Sequence, residues 1–543
     1  MDPGLGQHDT EVILTNCALF LAVLQNERSS GRDDAQRQLA ESSLRGDSRE
    51  RALRLLDGGQ RVFVSPQAVL GVMKIRLTMD DSRVTDSPVL VPEVATVMAI
   101  LGLASELGNV NRDPQNEIGG LPETLAMEVF SNQLFNRRTY LAVELARHKR
   151  HRDLMFENSP EETAAYEDLF RTYTGTTVST LFHMGILTLF SQLQDKVVSI
   201  SAELFGSLDI EEDEVKAALD LLATDRATLS RLITKESKDV EFAWSFNTLR
   251  RYPMLRRDDG SLLILNPAFL LERVCGSAFF WEIKSRLIPL SRRSDEDGKE
   301  AKRLLGGFAG LIGRSAEDYV YDRLHHIEGP QGALGQRVWR EAALQKLRGD
   351  TPTPKGCDFV FDNGSDWIAL DSVTSRVSQK AAEAGSRSDL DADINDIVFE
   401  KAEQLDSTIR WMIAQGGRLP GQSARAVTPT YFPVIVAYNG FPWNQAMAQH
   451  VYAELKSLGW LQHSLIHPLI VIDVRELEYL ESATELGHSL STILNNIVNE
   501  GVYMHPVNWY LSKNIGLKWP ESLKTPLDQA VEELIAKYKQ DFR

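Results

Sequence analysis

Two apolar, strand-like runs, Asp358-Phe359-Val360-Phe361 and Trp367-Ile368-Ala369-Leu370-Asp371, flank the polar tetrapeptide Asp362-Asn363-Gly364-Ser365. An Asn-Gly pair between alternating or apolar runs is a strong short-range signal for a hairpin, because the tight turn needs residues that tolerate positive φ. The hairpin sets the two strands side by side and brings their outer aspartates, Asp358 and Asp371, toward the same end. Further along, Phe432 to Tyr438 and Leu469 to Val474 are β-branched apolar runs suited to buried strands. Between hairpin and strands, 393–413 reads as an amphipathic helix with Ile394, Val398, Leu405, Ile409 and Met412 on one face, and 440–462 as another helix. The order over about 303–480 is helix, strand, strand, helix, strand, helix, strand. It predicts an α/β sandwich around a central mixed sheet.

At 543 residues the chain is too long for one core, and three to four units are expected at about 150 residues each. The expected class is α+β and multidomain: a largely helical N-terminal half, an α/β domain with a mixed sheet, and a helical C-terminal tail. Residues 1–155 read as a helical domain, with apolar positions three and four apart in 11–25 and 93–107. Residues 156–295 read as a helical domain with a β-hairpin at Asp259-Gly260, a layout that could be winged-helix-like. The polar stretch SRRSDEDGKEAK, 291–302, is the expected boundary before the α/β domain of 303–480, and 481–543 completes the chain as a helical extension. Gly307, Gly310 and Gly313 are expected to allow a turn or close packing before a helix.

The net charge of −17 excludes a surface that attracts polyanions everywhere, so any nucleic-acid contact must be local. The densest positive cluster, Arg137, Arg138, Arg147, Lys149, Arg150 and Arg152, is a candidate phosphate-contact surface, although such runs commonly mark only a solvated helix face. Three scattered cysteines, Cys17, Cys275 and Cys357, do not make a disulfide framework and fit a cytoplasmic setting. The apolar run after the N-terminus is too short to span a bilayer, so neither a signal peptide nor a membrane partner is expected. Phosphate-loop, HExxH, CxxC and GxSxG motifs are absent. The aromatic runs Phe279-Phe280-Trp281 and Phe441-Pro442-Trp443 could stack bases, with core packing the blander alternative.

What remains is a set of acids. Glu317 borders the helix face formed by Val320, Tyr321 and Leu324, and the hairpin brings Asp358 and Asp371 together. Paired carboxylates can hold a hard divalent cation and leave positions open for a phosphate oxygen and water. This pattern of helix acid Glu317, strand acid Asp358 and Asp371-Ser372-Val373 resembles the PD-(D/E)XK restriction-endonuclease-like superfamily over roughly 310–475. The resemblance implies a nuclease-like domain in which Asp358, Asp371 and the Ser372 carbonyl are ligands of Mg²⁺ or Mn²⁺, with Glu317 a direct or outer ligand. It also implies a lysine where this chain has Val373, which shares a strand face with Asp371. Lys401, three residues from Gln404 on the following helix, is the preferred replacement, with Lys380 and Arg376 as other basic candidates. The leading expectation is a metal-dependent DNA endonuclease in restriction, repair or phage defence, with nucleic acid as partner and a protein partner or homo-oligomer as a further option. The alternative is an inactive pseudo-nuclease that serves as a DNA- or protein-binding scaffold or regulatory subunit.

Overall fold

The computed structural model describes residues 5–24, 37, 40–41, 44–57, 65–81, 84–85, 91–107, 117–118, 121–122, 141–195, 197–238, 245–275, 278–328, 337–349, 356–378, 381, 387–420 and 427–536. Arg137, Arg138 and Lys380 lie outside them, and the side chains of Phe279 and Phe280 are likewise outside the description.

The described chain is mostly helical and carries two mixed sheets, one of four strands and one of five. In the first half, helices at Thr10–Leu24, Pro66–Thr78 and Pro92–Leu107 precede helix α1, Leu141–Asn158. The four-stranded sheet comprises β1 (Ser199–Ser201), β2 (Ala223–Asp225), β3 (Met254–Arg256) and β4 (Ser261–Ile264), in the order β1-β4-β3-β2. β3 and β4 form the Asp-Gly hairpin, with Gly260 at φ +81°, and β1 joins β4 antiparallel while β2 joins β3 parallel. Helices Glu212–Leu222 and Arg226–Glu236 lie between β1 and β3 in sequence. Leu255 and Leu263 pack with N-terminal residues such as Leu14, Leu21 and Met73, whereas Met254, Leu262 and Ile264 pack with Phe170, Phe182 and Leu187. Alternation along these short strands therefore serves two cores at once, and the first core spans both sides of the boundary expected at 155/156.

Helices α2 (Pro267–Val274) and α3 (Ala278–Ser291) lead to α4, which runs unbroken from Glu296 to Glu328. This corrects two expectations. The polar stretch 291–302 is mostly the start of a helix, leaving only 292–295 outside helical structure. The glycines at 307, 310 and 313 lie inside α4 rather than ahead of it. The physical reason is clearest at Gly307, where a Cβ would stand 2.6 Å from the Tyr166 hydroxyl, so the missing side chain admits a neighbouring helix.

The five-stranded sheet contains β5 (Val338–Arg340), β6 (Phe359–Asp362), β7 (Asp366–Val373), β8 (Thr430–Ala437) and β9 (Ile470–Asp473), in the order β9-β8-β7-β6-β5. β5, β6 and β7 are antiparallel neighbours, while β8 and β9 add in parallel. Gly364 takes φ +86° in the Asn-Gly turn, and Asn363 N–H donates to the Asp366 carbonyl at 3.0 Å. The segment between β7 and β8 contains a helix at Arg387–Ile394, a π-helical turn at Asn395–Phe399 and α5, Glu400–Ala414. Helix α6, Gln445–Leu458, joins β8 to β9, and α7, Val474–Glu485, follows through an Asp473/Glu476 capping box.

All eight residues of β7 are buried, so each face needs its own helical cover. Trp367, Ala369 and Val373 pack with Ile397, Val398, Ala402, Leu405, Ile409 and Met412 on one side. Ile368 and Leu370, with Phe359 and Phe361, pack with Val320 of α4 and Leu477 of α7 on the other. The predicted sandwich is present, with one strand more than the sequence pattern indicates: β5 spans only three residues.

Candidate functional site

The hairpin pairs step from Asp362 opposite Trp367 to Phe359 opposite Leu370. The next pair outward is Asp358 opposite Asp371, and residues directly opposed across an antiparallel pair share a face. Asp371 is wholly buried and Asp358 is 4% exposed. Asp358 is held in place because Ser372 donates twice to its Oδ2, from the backbone N–H and from Oγ, each at 2.8 Å.

Lys401, in the first turn of α5, reaches this pair. Its Nζ stands 2.7 Å from Asp371 Oδ1. Beyond that ion pair, no donor among the described residues is aimed at either Asp371 oxygen in hydrogen-bond geometry. Burial pushes Asp371 well above the usual carboxylate range, the Asp358 charge pushes it further, and Lys401 opposes both. Burial works against the Lys401 charge, yet Asp371, Asp358 and, more weakly, Glu317 outweigh it and raise the ammonium above its ordinary value. One lysine therefore faces more negative charge than it can neutralise. A proton or an added cation would meet the shortfall.

Glu317 is half-buried on α4, and its charge is felt at Lys401. Gln404, one turn beyond Lys401, has a buried Oε1 that accepts no hydrogen bond among the described residues. Val373 is buried in the core shared with α5, as a strand position facing that helix requires. The structure thus brings Glu317, Asp358, Asp371 and Lys401 into one electrostatic neighbourhood and fills the strand position at 373 with packing. Among the described residues, no group of three or more His, Cys, Asp or Glu side chains is placed to hold a metal ion by itself.

The basic cluster on α1 is a correction. Arg147 is interior, donating from Nε and Nη2 to the two oxygens of buried Glu478 at 2.7 Å each, and Tyr319 donates to the same carboxylate. Lys149 pairs with Asp153 and Glu533, Arg150 with Asp322 and Glu157, and Arg152 with Glu167. These cations join α1 to α4, α7 and the C-terminal helix, where unpaired burial of charge would be costly. Arg376 is placed differently: it follows β7 and contacts Glu272 and Trp281. Phe441 and Trp443 are buried in the sheet core.

Sequence reasoning assigned Ser372 through its carbonyl and missed its hydroxyl and N–H as the clamp on Asp358. A serine directly after a strand-end aspartate was the only signal for it. No family model matches the chain, and no curated protein or solved structure matches it. No helix among the described residues is long and apolar enough to cross a membrane.

Proposed function

We propose that the Asp358–Asp371–Lys401 pocket is a metal-dependent phosphodiester-cleaving site acting on nucleic acid, DNA foremost, of the kind used in restriction, repair or defence against phage. The observation that carries this reading is a fully buried Asp371 opposite Asp358, with a single ammonium as counter-charge. Such a donor set suits Mg²⁺ or Mn²⁺, since Mg²⁺ is commonly held by one or two carboxylates with water and substrate phosphate completing its shell. When bound, the ion would polarise a phosphoryl oxygen and lower the pKa of a coordinated water.

The chain's own groups then have distinct tasks. Asp358 and Asp371 supply the oxygens, and Ser372 fixes the orientation of Asp358. Lys401 keeps its proton and presents positive charge toward a phosphate oxygen, a role for which a lysine on α5 substitutes for one at Val373. Glu317 stands as an outer ligand, and Gln404 has an amide available to orient water or phosphate.

The test is cleavage of plasmid, linear duplex and single-stranded DNA by wild type and Asp371→Asn, with Mg²⁺, Mn²⁺ or EDTA. Ion-dependent cleavage by wild type alone is expected. Equal cleavage by both proteins removes the catalytic assignment. The apolar Val373 favours a second reading, a pseudo-nuclease that binds DNA or a protein partner as a scaffold or regulatory subunit. Wild type that binds DNA at low salt and never cuts it would leave that reading standing.

A further inference from the structure

The segment leaving β7 carries Arg376 onto the helical unit that precedes the five-stranded sheet. There its guanidinium lies 6.0 Å from the ring centroid of Trp281 on α3. Lys284, one turn along the same helix, places its ammonium 5.4 Å from that ring. Trp281 is 48% exposed, unlike Trp367 and Trp443, which are buried in the sheet core. Arg250 is a third cation in this group: its charge acts on Arg376, and both reach Glu272, at 3.9 and 3.7 Å. The neighbouring acid Glu282 is taken by Arg273. Three cations around an exposed indole therefore share Glu272, in a chain whose net charge is −17.

Cations over an indole are attracted to its face, but that attraction does not account for gathering a local positive surplus beside an exposed ring. A ligand with both phosphates and aromatic faces would match every part of the group. Bases of an intact duplex keep their faces in the stack, so an exposed ring selects a base that is unpaired. Arg376 follows Asp371 by five residues, which limits their Cα separation to about 18 Å. A strand on this surface is thus kept close to the carboxylates.

We infer that Trp281, flanked by Arg376 and Lys284, is a stacking platform for an unpaired base of a nucleic-acid strand whose flanking phosphates meet these cations. This inference rests on the nucleic-acid reading of the Asp358–Asp371 pocket and adds strandedness to it. The substrate class is single-stranded nucleic acid, or a duplex with an unpaired segment.

The experiment is fluorescence anisotropy of a labelled single-stranded oligonucleotide and of its blunt duplex, in EDTA so that no cleavage intervenes. Wild type is expected to favour the single strand. Trp281→Ala should weaken single-strand binding by roughly 5- to 100-fold, the range for losing one stacked base, while Trp281→Phe retains most of the affinity. Circular dichroism melts of both variants confirm that they are folded. Unchanged single-strand affinity in Trp281→Ala, a Trp281→Phe variant as weak as the alanine, or no single-strand binding by wild type would each overturn the platform. The two proposals fail separately. Trp281-dependent binding without cleavage under any ion condition leaves the platform and removes the chemistry. Ion-dependent cleavage with binding indifferent to Trp281 does the reverse.

Discussion

Lys401 Nζ lies 2.7 Å from Asp371 Oδ1, with the lysine on a helix and the aspartate inside a fully buried strand. The pair joins α5 to the end of β7 at the point where the sheet carries excess negative charge. Removing the cation leaves Asp371 and Asp358 facing each other with no counter-charge. Lys401→Met is expected to abolish cleavage and to cost about 3–5 kcal/mol of stability at neutral pH, the usual penalty for stranding a buried partner. Urea denaturation should show the loss shrinking as pH falls, because the stranded Asp371 can be neutralised by a proton.

The replacement of a strand lysine by a helix lysine makes a second expectation. Val373 and Asp371 point to the same side of β7, and Val373 packs in the core that includes Ala402 and Leu405. Val373→Lys alone should lose stability and activity, since it adds a second buried cation and overfills the core. In a Lys401→Ala background the same substitution supplies the missing charge. The double variant is expected to recover part of the plasmid nicking that Lys401→Ala loses. Recovery no greater than the single variant would show that the helix position does something a strand lysine cannot.

Much of this was legible before any coordinates. The Asn363-Gly364 turn defined a hairpin and thereby the pairing of Asp358 with Asp371, because local turn chemistry fixes strand register. Lys401 was also reachable, since its spacing from Leu405 and Ile409 places it beside the apolar stripe of its helix. The strand Val338–Arg340 was not, as three residues carry no readable alternation. Nor was the fate of Arg147: a run of basic residues on one helix looks alike whether it meets solvent or acids from distant segments. Glu478 and Asp322 are remote in sequence, and only the fold brings them to α1.

That burial gives a third prediction. Arg147→Gln leaves Glu478 without its bidentate partner at a wholly buried site, and should destabilise the protein by about 3–5 kcal/mol. A phosphate-contact residue would behave otherwise, changing DNA affinity and its salt dependence with little loss of stability. Denaturation curves and anisotropy titrations on the folded variant separate these outcomes, and the expected pattern is a lower midpoint with unchanged DNA affinity.

The same helical region sets a pH response made of opposing parts. Burial holds His148 down at about 3 and His151 down at about 4, both below the ordinary 6.5. Each histidine therefore contributes stability that is present above pH 6.5 and is lost as pH falls through those lower values, because the unfolded chain takes up protons first. Burial drives Glu481 the other way, up to about 7 from 4.5, against the pull of Arg323 and the Ser522 hydroxyl. Its contribution is complete below pH 4.5 and is lost as pH rises through about 7. Between pH 4.5 and 6.5 the two slopes oppose each other, so the wild-type melting temperature should vary little there. Glu481→Gln removes the falling slope while keeping a hydrogen-bonding side chain. Its melting temperature should then climb between pH 4.5 and 6.5, with each unit of pH per titrating histidine worth at most about 1.4 kcal/mol. A variant curve parallel to wild type would mean that Glu481 is ionised across the whole range and that Arg323 holds it as a permanent ion pair.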